Sequence, residues 1–184
     1  PISGLTIQHV TPPLLSRWFQ KEQGTLPMKR WLYYAGYAAW QRAAYREAQR
    51  LHQQYPFDLA HHLTITGYRE PGYLWKLPIP FFWGPVGGAA DVPWTFFPML
   101  GLRDRLFYTL RNISNSWQKR TKLRCRRAAK SAAHIWAIGE ENQRMIHNIW
   151  GCDAEAVLET GTTPRREAMI RNYQSHRPIK LIWS

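Results

Sequence analysis

Short apolar runs alternate with longer stretches of helical period along this chain, and this alternation constrains the fold more than any other feature. The pattern predicts strands over residues 5–10, 57–64, 78–83, 133–139, 154–160 and 179–184. It predicts helices over Met28 to Tyr55, along the stripe formed by Leu102, Leu106, Leu110, Ile113 and Trp117, and from about Glu140 to Trp150. Because each strand is almost wholly apolar and helices separate the strands, we expect an α/β fold with a parallel sheet covered by helices on both faces.

The composition is that of a folded domain. The 184 residues include 45% hydrophobic residues and ten tryptophans, which is ample material for one core. Cys125 and Cys152 form neither a disulfide framework nor a metal-binding spacing, so we expect a reducing compartment and no metal site. No apolar run approaches the roughly 20 residues of a membrane-spanning helix. The first ten residues do not resemble a signal peptide.

Positive charge is concentrated in one segment. The formal net charge is +13, and the stretch from residue 103 to residue 130 holds ten basic residues against one acid, Asp104. Such a stretch suits phosphates, either those of nucleic acid or those of an anionic lipid surface.

The run "FFWGPVGGAA", residues 81–90, places three glycines directly after a predicted strand. Glycine has no Cβ, so such a loop lets a ligand or another backbone approach closely. It can equally be a tight crossover that binds nothing. As a pattern it lacks the spacing of a dinucleotide-binding or P-loop motif.

Four segments, taken together, resemble a known family. They are "YAAWQRAAYREAQRLHQQYPFDLAHHLT", "REPGYLWKLPIPFFWGPVGGAA", "AAHIWAIGEENQRMI" and "AVLETG", in that order. Their order and spacing are similar to those of the acceptor-side domain of retaining GT-B glycosyltransferases of the family-four, or group 1, type. The resemblance implies a Rossmann-like N-terminal domain, here incomplete, over residues 1–176. Residues 177–184 would begin the first strand of a missing C-terminal domain.

The resemblance also implies a function. The whole protein would move a hexose from a nucleotide-sugar to a glycan or lipid-linked acceptor in polysaccharide synthesis, with retention of the anomeric configuration. The missing C-terminal domain would bind the nucleotide-sugar as a substrate, and no cofactor is expected. The chain alone would be inactive, and it would be cytoplasmic or peripheral on the inner face of the membrane.

Seven residues are candidates for substrate binding, on the resemblance and on their position after predicted strands. They are His61, His62, Thr64, Arg69, Gly84, Gly87 and Gly88. Ligands gather outside the carboxyl ends of parallel strands, and the resemblance favours His61 as the residue nearest the transferred sugar. The alternatives are a histidine bonded inside the fold and a solvated surface arginine. Phe81 to Trp83 are expected to end the strand, and the glycines to turn the backbone into the next helix.

A second set of residues is predicted to bind an anionic membrane surface. The set is Lys119, Arg120, Lys122, Arg124, Arg126, Arg127 and Lys130. Each cation near such a surface contributes on the order of 1 kcal/mol. The alternative is a solvated helix in a basic protein.

Two other function classes are less favoured. A nucleic-acid-binding module would use the same positive charge, but the aromatic residues have core spacing and no such motif is present. A hydrolase would need a nucleophile elbow or a pair of carboxylates, and the sequence has neither clearly.

Overall fold

The computed structural model of the protein describes residues 6–14, 16–17, 27–63 and 65–158. In these residues the strands are β1 (Ala60–His62), β2 (Phe81–Val86), β3 (Ala132–Ile138) and β4 (Glu155–Val157). The α-helices are α1 (Pro27–Gln54), α2 (Leu102–Thr121), α3 (Leu123–Ser131) and α4 (Gly139–Met145), and a π-helical turn over Ile146–Trp150 continues α4. Two 3₁₀ turns lie at Leu74–Lys76 and Trp94–Met99.

The four described strands form one parallel sheet in the order β1-β2-β3-β4. Strands that follow one another in sequence are therefore neighbours, and their carboxyl ends meet at one edge. The predicted α/β class with a parallel sheet is confirmed, and the arrangement is consistent with an incomplete Rossmann-like fold.

One face of the sheet forms the core. Its buried side chains are Ala60, Phe81, Trp83, Ile135 and Ala137, and they pack with Cys125, Ala128 and Ala129 of α3 and with Ile146 and Trp150. The rings of Trp83 and Trp150 stack with their centroids 5.8 Å apart. Burial of large aromatic rings is the main source of stability in such a core.

The opposite face carries an aromatic and histidine cluster that is less buried. The Trp136 ring lies 5.1 Å from the His61 ring and 5.9 Å from the Phe82 ring, measured between centroids. The indole N–H of Trp136 donates to Glu155 Oε2 over 3.2 Å. Among the described residues, the helical side chains of the core cluster pack with the first face, and the predicted helical cover is confirmed on that face. On the second face His61 is exposed, and Phe82 and Trp136 are half-buried.

Several predicted boundaries differ from the structure. Residues 6–10 form no strand, although their composition favours one, because a strand needs a partner as well as propensity. Strand β1 has three residues, and β2 continues through Gly84 and Pro85 to Val86 instead of ending at Trp83. The end of the strand predicted over 154–160, the strand over 179–184 and the domain boundary near 176 lie outside the described residues.

Helix α2 faces the opposite way from the usual amphipathic helix. The predicted apolar stripe, Leu102, Leu106, Leu110, Ile113 and Trp117, is 57% to 84% exposed. The buried residues of α2 are Asn112, Asn115 and Lys119. The helix predicted from this stripe is confirmed, and the stripe itself faces solvent for a reason that the polar contacts described below give.

None of the described helices combines the length and the apolar character needed to cross a bilayer.

Candidate functional site

The loops that follow β1 and β2 are joined at the carboxyl edge of the sheet. The N–H of Gly87 donates to the carbonyl of Thr66 over 2.5 Å, and the N–H of Tyr68 donates to the carbonyl of Gly87 over 2.9 Å. Because ligands of parallel sheets bind outside the carboxyl ends of the strands, these loops form the candidate site. We call residues 65–70 and 87–92 the edge loops.

Three buried asparagines hold the second edge loop in place. Asn142 accepts a hydrogen bond from the N–H of Ala89 (3.0 Å), and Asn115 donates to the carbonyl of Ala89 (3.1 Å). Asn112 bonds both the N–H and the carbonyl of Val92, at 3.1 and 2.8 Å. Buried backbone polar groups need partners, and α2 and α4 supply them with amide side chains. This need explains why α2 turns its polar side inward.

A network of charged residues extends from the same loop. Asp91 accepts hydrogen bonds from Lys119 Nζ (2.8 Å) and from Asn115 Nδ2 (2.6 Å). Arg69 donates to Gln118 Oε1 (2.8 Å), to the carbonyl of Gly88 (3.3 Å) and to Asn115 Oδ1. Arg69 therefore lies at the predicted edge, and its guanidinium group bonds to the protein itself.

A second ion pair anchors the first edge loop. Arg124 Nη2 lies 2.5 Å from Glu70 Oε2, and Arg124 Nη1 donates to the Tyr73 hydroxyl over 2.8 Å. Burial raises the pKa of Glu70, and the positive charges of Arg124 and Lys122 oppose that rise. The pair joins α3 to the loop after β1.

The two histidines of β1 point to opposite faces of the sheet. His62 is buried in the core face, where its Nε2 atom lies 3.3 Å from the carbonyl oxygen of Glu70. Burial lowers the pKa of His62 below 6.5. His61 is exposed on the other face, with its Nε2 atom 3.2 Å from the Gly84 carbonyl. The two predicted site histidines are therefore not brought together.

The three glycines have different roles. A Cβ on Gly84 would lie 2.7 Å from the Trp136 carbonyl oxygen, and one on Gly87 would lie 2.9 Å from Ile138 Cδ1. At both positions the close neighbour is β3, so the glycines admit another strand. Gly88 is exposed with φ +75°. The run does not turn directly into a helix as predicted, because β2 continues to Val86 and α2 begins only at Leu102.

The first edge loop contains one unusual backbone conformation. Ile65 has a positive φ of 39°, which β-branched residues rarely adopt. Outliers of this kind cluster at functional sites. The predicted site residue Thr64 lies outside the described residues.

The predicted anion-binding residues separate into three groups. Lys119 and Arg124 are ion-paired with Asp91 and Glu70. Arg120 is exposed and donates to the Ser116 carbonyl within α2 over 2.9 Å, and Lys122 lies half-buried between α2 and α3. The remaining members, Arg126, Arg127 and Lys130, are exposed on α3.

An open groove of about 690 Å³ lies at the opposite edge of the sheet. It is lined by the amino ends of β3 and β4 and by the residues before them, among them Lys130, Cys152 and Asp153. Lys130 is the one residue of the predicted sets that lines it. Ligands of parallel sheets bind at the carboxyl edge, so the groove is a weaker candidate than the edge loops.

Sequence reasoning missed the asparagines that build the site, and it assigned Lys119 to anion binding and not to this network. Asn112, Asn115 and Lys119 recur at helical spacing on α2, opposite the apolar stripe, and this polar row is the signal that could have found them. Asn142 and Asp91 carried no comparable signal, since their partners come from distant elements.

Within the described residues, no group of three or more histidine, cysteine, aspartate or glutamate side chains could hold a metal ion. Comparison with family models, curated proteins and solved structures found no match to this chain. The resemblance to glycosyltransferases therefore stays a prediction.

Proposed function

We propose that the chain is the acceptor-binding part of a glycosyltransferase that moves a hexose from a nucleotide-sugar to a glycan or lipid-linked acceptor. A second domain would bind the nucleotide-sugar. The resemblance in the sequence suggests the activity, and the parallel sheet is compatible with it.

The observation that carries the proposal is the second edge loop. Three buried asparagines fix its backbone, and they use the N–H groups of Ala89 and Val92 in doing so. A loop fixed in this way is preorganised, which lowers the cost of binding.

The chemistry of the exposed edge favours an acceptor over a nucleotide diphosphate. Thr66, Gly88 and Ala90 are exposed there and are small and uncharged. The nearest cations, Arg69 and Lys119, bond to protein groups. A surface of this kind suits a hydroxyl-rich sugar better than a diphosphate, which needs free cations or N–H groups.

Binding of a soluble acceptor tests the proposal. The chain is titrated with a disaccharide that carries a short alkyl chain and no phosphate and, separately, with nucleotide-sugars and a DNA oligonucleotide. Ala90→Trp fills the exposed edge without removing a described hydrogen bond, and Ala133→Trp places the same ring in the opposite groove as the control. We expect the acceptor to bind, and A90W to weaken binding at least about tenfold while A133W does not.

Failure of the acceptor to bind overturns the proposal, and so does loss of binding in A133W alone. Salt-sensitive binding of the oligonucleotide without acceptor binding would identify a nucleic-acid-binding module instead.

A further inference from the structure

The segment between β2 and α3 carries a set of large apolar side chains that are exposed to solvent. We call it the apolar ridge, and its members are Trp94, Phe96, Met99, Leu102, Leu106, Phe107, Leu110, Ile113 and Trp117. Each member is 55% to 84% exposed. Apolar patches of this extent mark interaction sites on proteins.

The polar contacts of α2 fix the direction of the ridge. Asn112, Asn115 and Lys119 bond to the second edge loop from the opposite side of the helix. A rotation of α2 that buried Leu106 or Leu110 would break these bonds. Each buried polar group left without a partner would cost about 1–3 kcal/mol, which offsets the about 1.5–3 kcal/mol that burial of one leucine contributes. The hydrogen bonds on the other side of α2 therefore hold the apolar ridge toward solvent.

The 3₁₀ turn at Trp94–Met99 is attached to α2 as part of the same surface. Arg105 donates to the carbonyls of Leu100 (2.8 Å) and Pro98 (2.7 Å). The ring centroids of Trp94 and Phe97 lie 4.5 Å apart. These contacts hold the turn beside the first residues of α2.

The charges beside the ridge favour one kind of partner. Arg103, Arg111 and Arg120 are exposed on α2, and Asp104 is the one acidic residue of that helix. Exposed arginines beside large apolar side chains are typical of helices that lie in the surface of an anionic bilayer. An interface between copies of this chain would bring these positive charges together.

We propose that the apolar ridge inserts into the interfacial layer of an anionic lipid bilayer, with α2 parallel to the surface. This inference rests on the proposed function, because membrane attachment serves a glycosyltransferase whose lipid-linked acceptor lies in the same layer of the bilayer. Helix α2 holds the second edge loop through Asn112 and Asn115 on its other side, so a docked ridge would hold the candidate site about 10 Å, one helix diameter, above the membrane surface. Lys119 and Arg124, which were predicted to bind anions, are paired and take no part.

Vesicle binding by the full chain tests this inference without any acceptor present. Sedimentation is measured with phosphatidylcholine vesicles and with vesicles that also contain phosphatidylglycerol. Leu106→Ser with Leu110→Ser removes apolar surface and keeps the charge, and Arg103→Gln with Arg111→Gln removes charge and keeps the ridge. Leu59→Ser with Leu158→Ser is the matched control, because both leucines are exposed outside the ridge.

The wild-type chain should bind phosphatidylglycerol vesicles. The ridge variant should bind them at least about tenfold more weakly, and the arginine variant about fivefold more weakly for each charge removed. The control should bind like the wild type.

The inference is overturned if the ridge variant binds vesicles as tightly as the wild-type chain does. It is also overturned if the chain ignores vesicles and instead forms dimers that the ridge variant abolishes, since the ridge is then an interface between copies. Acceptor binding is measured in a separate titration without vesicles or detergent. Vesicle binding without acceptor binding refutes only the proposed function, and the reverse result refutes only the membrane inference.

Discussion

Asn142 Oδ1 accepts a hydrogen bond from the backbone N–H of Ala89 over 3.0 Å, so the helix after β3 holds the loop after β2. The same side chain donates to the carbonyl of Ile138 over 2.5 Å, which fixes its orientation. One buried amide thus joins the carboxyl ends of two neighbouring strands.

Replacement of Asn142 by alanine is expected to loosen the second edge loop. The variant leaves the N–H of Ala89 without its partner, and the free energy of unfolding should fall by about 1–3 kcal/mol. Amide exchange at Ala89 should accelerate, as NMR would detect. Glu141→Gln is the control, because the bond from the Asp91 N–H to Glu141 is exposed and long at 3.3 Å. Unchanged exchange at Ala89 in N142A would contradict the role assigned to Asn142.

Substitution of the two glycines at 84 and 88 should measure how closely β3 approaches β2, since both glycines have a positive φ. Gly84→Ala carries the cost of φ +150° and also brings a Cβ within 2.7 Å of the Trp136 carbonyl oxygen, so the free energy of unfolding should fall by about 3 kcal/mol. Gly88→Ala meets its nearest atom, Gly67 Cα, at 3.4 Å and carries only the cost of a positive φ, about 1 kcal/mol. Denaturant unfolding of both variants measures the difference. Equal losses would show that β2 and β3 lie farther apart than the structure has them.

The burial of His62 predicts a loss of stability in acid. Its folded pKa lies below 6.5, so the unfolded chain takes up a proton at higher pH than the folded chain. The contribution of His62 is therefore fully present above about pH 6.5 and is lost as the pH falls toward the folded pKa. In His62→Gln, the free energy of unfolding should depend less steeply on pH across this window. His147→Gln changes an exposed ring and should keep the wild-type slope.

Thiol labelling should distinguish the two cysteines. Burial raises the pKa of Cys125 to about 11, and burial also raises the pKa of Cys152, which is less enclosed. Since the thiolate is the reactive form, a disulfide reagent at pH 8 should modify Cys152 first and Cys125 only as the protein unfolds. In Cys152→Ser, rapid labelling of the folded chain would show that Cys125 is not buried in the core between α3 and the sheet.

The sequence predicted the sheet because the signals for it are local. The runs at 78–83 and 133–139 are almost wholly apolar, and long helical patterns separate them from their neighbours, so strand type and parallel direction follow from short-range patterns. Helix α1, and α4 together with the π-helical turn that continues it, were predicted near their observed bounds for the same reason.

The candidate site depended on contacts that the sequence does not display. His61 and His62 are adjacent, and only the pairing of β1 with β2 decides which ring is buried and which is exposed. Gly84 was expected to form a turn, but the nearness of Trp136 in the neighbouring strand places it inside β2. Arg69 was a candidate for substrate binding and Arg124 for anion binding, and each bonds to groups about 50 residues away in sequence.

By itself, then, the sequence determined the α/β class, the order of the main elements and the concentration of positive charge. Only the tertiary structure decided which way α2 faces. Its apolar stripe satisfies the rule for a buried helix, yet the backbone polar groups of the second edge loop required Asn112 and Asn115, and the carboxylate of Asp91 required Lys119. An unpaired buried polar group costs about 1–3 kcal/mol, comparable to the gain from burying a leucine, and only the polar side of α2 offers partners to the loop, so that side turned inward.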